Sequence, residues 1–248
     1  MTQTKSGVQG EIWNQQEMAW PGSFYQGLPV HADDEDVHEL ALALFQEVLA
    51  PEARILDVGA GAGAFSRRLL DHGFHGVEAV ELRQEAFAVS GVPVHALDLN
   101  SAWAEPLPGR FDAVVALEVI EHLENPWHFT RQCAAAVRPG GWVLLSTPNI
   151  ESSRSRIEFL LTGEFRFFRE KDFADCGHIT SLTARQMERT AAGAGLGLRE
   201  YRHSRHKGML RPGSFRKNLR AMLYALSWPF MKGKRRGEES LFLFQRKS

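Results

Sequence analysis

One stretch constrains the fold of this chain more than any other: Ile55-Leu56-Asp57-Val58-Gly59-Ala60-Gly61-Ala62-Gly63. A short apolar run that breaks into alternating glycines reads as a buried parallel strand entering a turn. Glycine there lets the backbone take left-handed conformations and approach a ligand closely. The helix expected next, from Ala64 to His72, presents its free N–H groups to the same ligand. Alone, the run is ambiguous. Gly59, Gly61 and Ala64 also satisfy the G-x-G-x-x-G/A dinucleotide pattern, with Glu81 at the distance of a ribose-binding acid, so a nicotinamide dehydrogenase stays open.

The remaining chain repeats the strand–helix alternation. Asp33-Asp34-Glu35-Asp36 suits a helix start, and Val37, Leu40, Ala41, Leu44, Phe45 and Val48 follow at helical spacing until Pro51. Further strands are expected at Val77–Glu81, Val92–Leu97 (ending at Asp98), Phe111–Leu117, Trp142–Ser146, Leu198–His203 and Ser240–Gln245. Asn125 and Pro126 open a helix that Pro139-Gly140-Gly141 closes, and another helix spans Thr183–Ala194. Such alternation predicts an α/β fold: a doubly wound, mostly parallel, seven-stranded Rossmann-like sheet with helices on both faces. Residues 1–34 read as a lead-in that covers a pocket, and residues 35–248 as one domain. Within it, about 150–180 looks like a lid insertion and about 207–236 like a basic amphipathic segment.

Hydrophobic residues at 44% and charged residues at 24% exclude a disordered chain. No apolar run is long enough to span a bilayer, the first ten residues do not resemble a signal peptide, and Cys133 and Cys176 stand far apart. These features predict a cytoplasmic protein. The net charge of −1 conceals a split, because Arg199 to Arg236 holds twelve Lys/Arg against the single acid Glu200. Within it Leu219, Met222, Leu223, Leu226 and Phe230 can share a helical face near Arg216, Lys217 and Arg220. The segment could meet an anionic membrane at the inner surface, meet nucleic acid, or remain a solvated face.

Three features separate the ligand classes. Asp57 lies inside the strand end, a second acid, Asp98, follows the third strand, and Phe111-Asp112-Ala113-Val114-Val115-Ala116-Leu117-Glu118-Val119-Ile120-Glu121-His122-Leu123 leads to Arg138-Pro139-Gly140-Gly141 and Ser146-Thr147-Pro148-Asn149. Over roughly residues 35–200 this order of blocks resembles the class I S-adenosylmethionine-dependent methyltransferases, above all the branch containing ubiquinone-biosynthesis O-methyltransferases. The resemblance implies that Asp57, Gly59, Gly61 and Gly63 hold the methionine part of S-adenosylmethionine. It assigns Glu81 to both ribose hydroxyls, Asp98 and the Leu99 backbone N–H to adenine, and Glu118 to the pocket wall. The chemistry agrees, since a carboxylate only accepts and its two oxygens match two vicinal hydroxyls.

Glu118, Glu121 and His122 fall at i, i+3 and i+4, so a helical turn after the fourth strand would put them on one side. His178 could return to the same crevice. Two carboxylates with one or two imidazoles suit a divalent cation, magnesium or manganese. Ubiquinone-pathway O-methyltransferases are similar at Glu-x-x-Glu-His, and small-RNA 2′-O-methyltransferases use a similar triplet with a distal histidine. Without a metal, His122 is the first candidate base and His178 the second. The expected acceptor is a hydroxylated small molecule, lipid-linked or aromatic. Trp20, Phe24, Tyr25 and the Phe159–Phe168 segment could line its pocket or simply pack. The rivals are an RNA 2′-O-methyltransferase and a non-catalytic binding domain of the same fold.

Overall fold

The computed structural model of the chain describes residues 23–32, 36–204, 222, 226, 230–234 and 236–248. Trp13, Trp20, the acids Asp33 to Glu35 and most of the basic segment lie outside the described residues, Leu219, Leu223, Arg216, Lys217 and Arg220 among them. Met222, Leu226 and Phe230 are described and exposed.

Two short strands, β1 (Phe24–Tyr25) and β2 (Leu28–Pro29), form a hairpin through Gln26 and Gly27, both at positive φ, the turn that best matches strand twist. The main sheet contains β3 (Arg54–Val58), β4 (Gly76–Val80), β5 (Val94–His95), β6 (Phe111–Ala116), β7 (Val137–Pro148), β8 (Leu196–His203) and β9 (Glu239–Arg246). Their order is β5-β4-β3-β6-β7-β9-β8, seven strands as expected. The first five pair in parallel, whereas β9 runs antiparallel to both its neighbours. The order reverses between β3 and β6, which opens a crevice beyond their carboxyl ends.

The helices are α1 (Asp36–Val48), α2 (Ala64–Asp71), α3 (Pro126–Ala136), α4 (Ser153–Thr162), α5 (Glu170–Cys176) and α6 (Ala184–Gly193). Strand alternation feeds two cores, one on each face. Leu56, Val58, Val114, Leu145 and Phe244 meet Phe129 and Cys133 of α3 and Met187 of α6. Ile55, Val115, Leu144 and Leu243 meet Val37 and Phe45 of α1 and Phe65 and Leu69 of α2. Each such fully buried side chain contributes about 1.5–3 kcal/mol. Helix starts follow the side-chain chemistry: Asn125 Oδ1 accepts from the His128 N–H at 2.9 Å, and Thr183 forms a capping box with Gln186.

Two expectations fail here. The third sheet strand is only Val94–His95, because the chain beyond it turns at Asp98 instead of pairing further. Pro139-Gly140-Gly141 does not close a helix, since α3 ends at Ala136 and β7 starts at once. Those residues bulge between the pairs Phe111–Val137 and Ala113–Trp142, with Gly140 at φ +74°. A Cβ on Gly141 would stand 2.7 Å from the Asp112 carbonyl oxygen and 2.7 Å from Val137 Cγ2. Gly141→Ala should therefore lower unfolding stability by about 1–3 kcal/mol, the usual cost of overpacking. Urea denaturation measures it, and an unchanged midpoint would show that the bulge relaxes freely.

Candidate active site

At the crevice, Gly59, Gly61 and Gly63 take φ of +71°, +54° and +89°. All three contacts are close. A Cβ on Gly59 would lie 2.6 Å from Val119 Cγ2, on Gly61 3.3 Å from the His31 ring, and on Gly63 2.7 Å from Val89. The Gly61 N–H donates to Glu81 Oε2 at 2.9 Å, and the Arg83 N–H to Oε1 at 3.1 Å. Glu81, just past β4, thus faces the glycine turn as a ribose-binding acid must. Together, cradle and acid fit an adenosine cofactor with close backbone approach.

Asp57 sits deeper. Its Oδ2 accepts the Ser66 hydroxyl at 2.6 Å, which braces β3 against α2 beneath the turn. Burial first, and then the charge of Glu81, push its carboxyl up to about 6, against the Ser66 bonds that lower it. Asp98 does not end a strand as expected. It is exposed, and its Oδ1 accepts from the Asn100 N–H at 2.9 Å within a turn whose next residue is the half-buried Leu99. His31 escaped the sequence reading, because a single histidine after a Leu-Pro hairpin carries no periodic signal. His31 is exposed at the crevice rim, yet loss of water on the side facing the glycine turn lowers its pKa, opposed by Glu81.

Past β6 the expected helical turn is a short 3₁₀ turn, Ile120–His122, and Glu118 lies before it at φ +54°. The i, i+3, i+4 geometry is therefore not what groups these residues. The segment after α5 does it: the Ile179 and Thr180 N–H groups both donate to the Glu121 carbonyl at 2.9 Å, and Thr180 Oγ1 to the Leu123 carbonyl at 2.6 Å. His178 is thereby delivered to His122, ring centroids 4.8 Å apart. Ligand atoms of Glu121, His122 and His178 lie within 4.8 Å of one another, while Glu118 acts on Glu121 through its charge.

The environment of this cluster is specific. Glu121 is fully buried, and its carboxyl lies against the Thr147 hydroxyl and the Glu118 carboxyl. Burial, followed by the Glu118 carboxylate, raises its pKa well above the ordinary range. His122 is pushed down to about 3 by burial and then by His178. Its Nδ1 faces the Gly177 carbonyl at 3.3 Å, and His178 Nδ1 faces the Phe167 carbonyl at 2.7 Å. Those bonds fix the orientation of both rings.

The aromatic pocket is smaller than expected. Tyr25 packs on α2, its hydroxyl donating to Asp71 at 3.0 Å and Arg68 lying 4.1 Å above its ring, and Phe24 is exposed. Neither borders the cluster. Phe168 does, 5.4 Å from the His178 ring, while Phe159 stacks on Phe165 at 4.4 Å.

Known proteins resemble this chain in sequence and in fold. The model of a methyltransferase-domain family matches residues 31–201. The chain belongs to that family. The family's cofactor is S-adenosylmethionine. A ubiquinone biosynthesis O-methyltransferase of Burkholderia thailandensis is 36% identical over 110 residues, 40% of this chain and 46% of that protein. Its namesake in Bordetella bronchiseptica is 34% identical over 134 residues, 49% of this chain and 52% of that protein. The match spans about half the length of these curated relatives. The fold also resembles a SAM-dependent methyltransferase from Archaeoglobus fulgidus (TM-score 0.56, 14% identity, 84% of this chain and 94% of that one). Magnesium protoporphyrin IX methyltransferase from Synechocystis is comparable (TM-score 0.56, 14% identity, 86% and 83%). Among the described residues, no helix is long and apolar enough to cross a membrane.

The buried acid beneath the turn gives a pH signature. With its folded pKa raised from 3.8 to about 6, Asp57 favours the folded state below pH ~4 and loses that contribution as pH rises through about 6. Asp57→Asn, which cannot ionise, should gain on the order of 1–3 kcal/mol over wild type at pH 8 and lose that advantage below pH ~4. Thermal melts of the cofactor-free protein across this range test it. An equal effect of the substitution at both ends would show that charge is not involved.

Proposed function

We propose that this chain transfers the methyl group of S-adenosylmethionine to a hydroxyl oxygen of a small molecule, an aromatic or lipid-linked one. Glu121, His122 and His178 would hold a divalent cation at the acceptor end of the crevice. The observation that carries the reading is the cluster: a buried carboxyl beside two imidazoles, with ligand atoms within 4.8 Å, where the chain leaves β6 beside the glycine turn. A cation with bonds of about 2.0–2.6 Å can span such a set. A mixed imidazole and carboxyl set favours manganese over magnesium. O-methylation is also the reaction in the names of the curated relatives.

The chemistry asks each part for something different. The cofactor supplies a methyl group already activated on a sulfonium. Glu81 would hold its ribose and Gly59 to Gly63 its methionine end, fixing the carbon that reacts. A divalent cation would lower the pKa of an acceptor hydroxyl and orient a vicinal diol or catechol. His122, with a pKa near 3, is uncharged at neutral pH and holds a proton poorly, so we assign it to ligation and not to general-base work. Phe168 beside His178 would bound the acceptor and exclude water.

Two measurements decide these assignments. Calorimetry with S-adenosylhomocysteine should show Glu81→Ala weakened by about 2–4 kcal/mol, the loss of two charge-assisted hydrogen bonds. Undiminished affinity would remove Glu81 from the cofactor site. In a screen of catechols and other hydroxylated acceptors with labelled S-adenosylmethionine, chelation should cut transfer at least about 10-fold and manganese should restore it. His178→Ala should lose transfer similarly while still binding S-adenosylhomocysteine. Full activity in chelator would overturn the metal and return His122 to the role of base.

A further inference from the structure

Glu118 is one of only three non-glycine residues at positive φ among the described residues, at +54°. An L-residue held there costs about 1–2 kcal/mol, so something must hold it. That something is the Ser146 hydroxyl, fully buried near the end of β7. Ser146 Oγ accepts from the Glu118 backbone N–H at 2.9 Å and donates to the Glu118 Oε1 at 2.5 Å. One hydroxyl thus closes a ring on both the backbone and the side chain of the same residue. Val119 comes next, with Cγ2 at 2.6 Å from the position a Cβ on Gly59 would take. Its carbonyl accepts from the His122 N–H at 3.0 Å, which starts the turn carrying Glu121 and His122.

We propose that Ser146 is a positioning residue: its hydroxyl locks the Glu118–Val119 turn against the first glycine of the cofactor loop and so sets the wall that cofactor and acceptor sites share. Parallel pairing cannot do this. β6 ends at Ala116, and the chain beyond has no ladder partner to fix its direction. An alanine at 146 would leave the strained residue without its two bonds, free to relax away from the left-handed region. The inference rests on the cofactor-site reading above, because its consequence is a change in cofactor affinity.

Calorimetry with S-adenosylhomocysteine on wild type, Ser146→Ala, Glu118→Gly and the double variant tests it. Glycine at 118 removes both the carboxylate and the strain, leaving the hydroxyl nothing to restrain. Ser146→Ala should weaken binding about 10-fold in wild type and less than about 2-fold in the Glu118→Gly background, the non-additivity of residues acting as one unit. Ser146→Thr, which keeps the hydroxyl, should restore most of the affinity. Equal losses in both backgrounds, or no loss in wild type, would overturn the proposal. Amide hydrogen exchange of the ligand-free proteins gives a readout independent of cofactor. Ser146→Ala should speed exchange in peptides covering residues 117–123 and 59–63 only. A uniform increase across the sheet, or none in those peptides, would equally overturn it. Failure of wild type to bind S-adenosylhomocysteine would reject the cofactor reading while exchange still judged Ser146.

Discussion

Two turns from adjacent parallel strands meet with room for a hydrogen and nothing larger. Val119 Cγ2 stands 2.6 Å from where a Cβ on Gly59 would be, and the functional half of the molecule depends on that approach. It requires glycine after β3, and it places the chain leaving β6 beside the cofactor cradle. The sheet order makes the approach possible, because β3 and β6 are neighbours whose connections depart in opposite directions. Pairing of Asp57 with Val115 then fixes how far each strand extends before its turn begins.

The acceptor side is built by different means. No strand delivers His178; a loop does, sewn by backbone bonds to the Glu121 carbonyl and steadied from outside by charge. Arg169 joins α4 to α5 through Glu158 at 3.1 Å and Asp172 at 2.7 Å. Arg154 and Arg166 both reach the buried Glu238, just before β9. Buried pairs of this kind add little net stability, but removing one partner strands a charge and costs about 3–5 kcal/mol. Their contribution here is to fix where α4 and α5 sit, and with them the loop that carries His178.

Legibility in the sequence follows the same division. Strands β3, β6 and β7 were readable because burial on both faces writes continuous apolar runs, and the caps at Asn125 and Thr183 because capping is local chemistry. The conjunction of Glu121, His122 and His178 was anticipated for a partly wrong reason. Helical spacing predicts that Glu118, Glu121 and His122 share one side and leaves His178 to return from beyond β7, whereas a 3₁₀ turn and a loop 55 residues downstream bring Glu121, His122 and His178 together. The Pro-Gly-Gly stop was misread because a bulge and a helix end use the same residues, and only the Asp112 carbonyl against Gly141 distinguishes them. His31 carries no such signal, and Ser146, though part of the Ser146-Thr147-Pro148-Asn149 block, carries none for its bond to Glu118, since each acts through one tertiary contact that leaves no period or spacing behind.

Electrostatics settles the ambiguity with which the glycine run began. A dinucleotide would bring a doubly anionic pyrophosphate to the turn after β3. That turn is walled by carboxyl groups: Asp57 beneath it, Glu81 beside it, and Glu118 and Glu121 on the facing turn. Asp57 is met by a hydroxyl and Glu81 by backbone N–H groups, not by lysine or arginine. Glu81 raises the pKa of Asp57, and Glu118 that of Glu121. Such a crevice repels an anion and is relieved by a cation. S-Adenosylmethionine, with a sulfonium and an ammonium against one carboxylate, carries a net positive charge, as a divalent cation does. Crowding four acids at one edge of the sheet thus favours a ligand that brings positive charge to it.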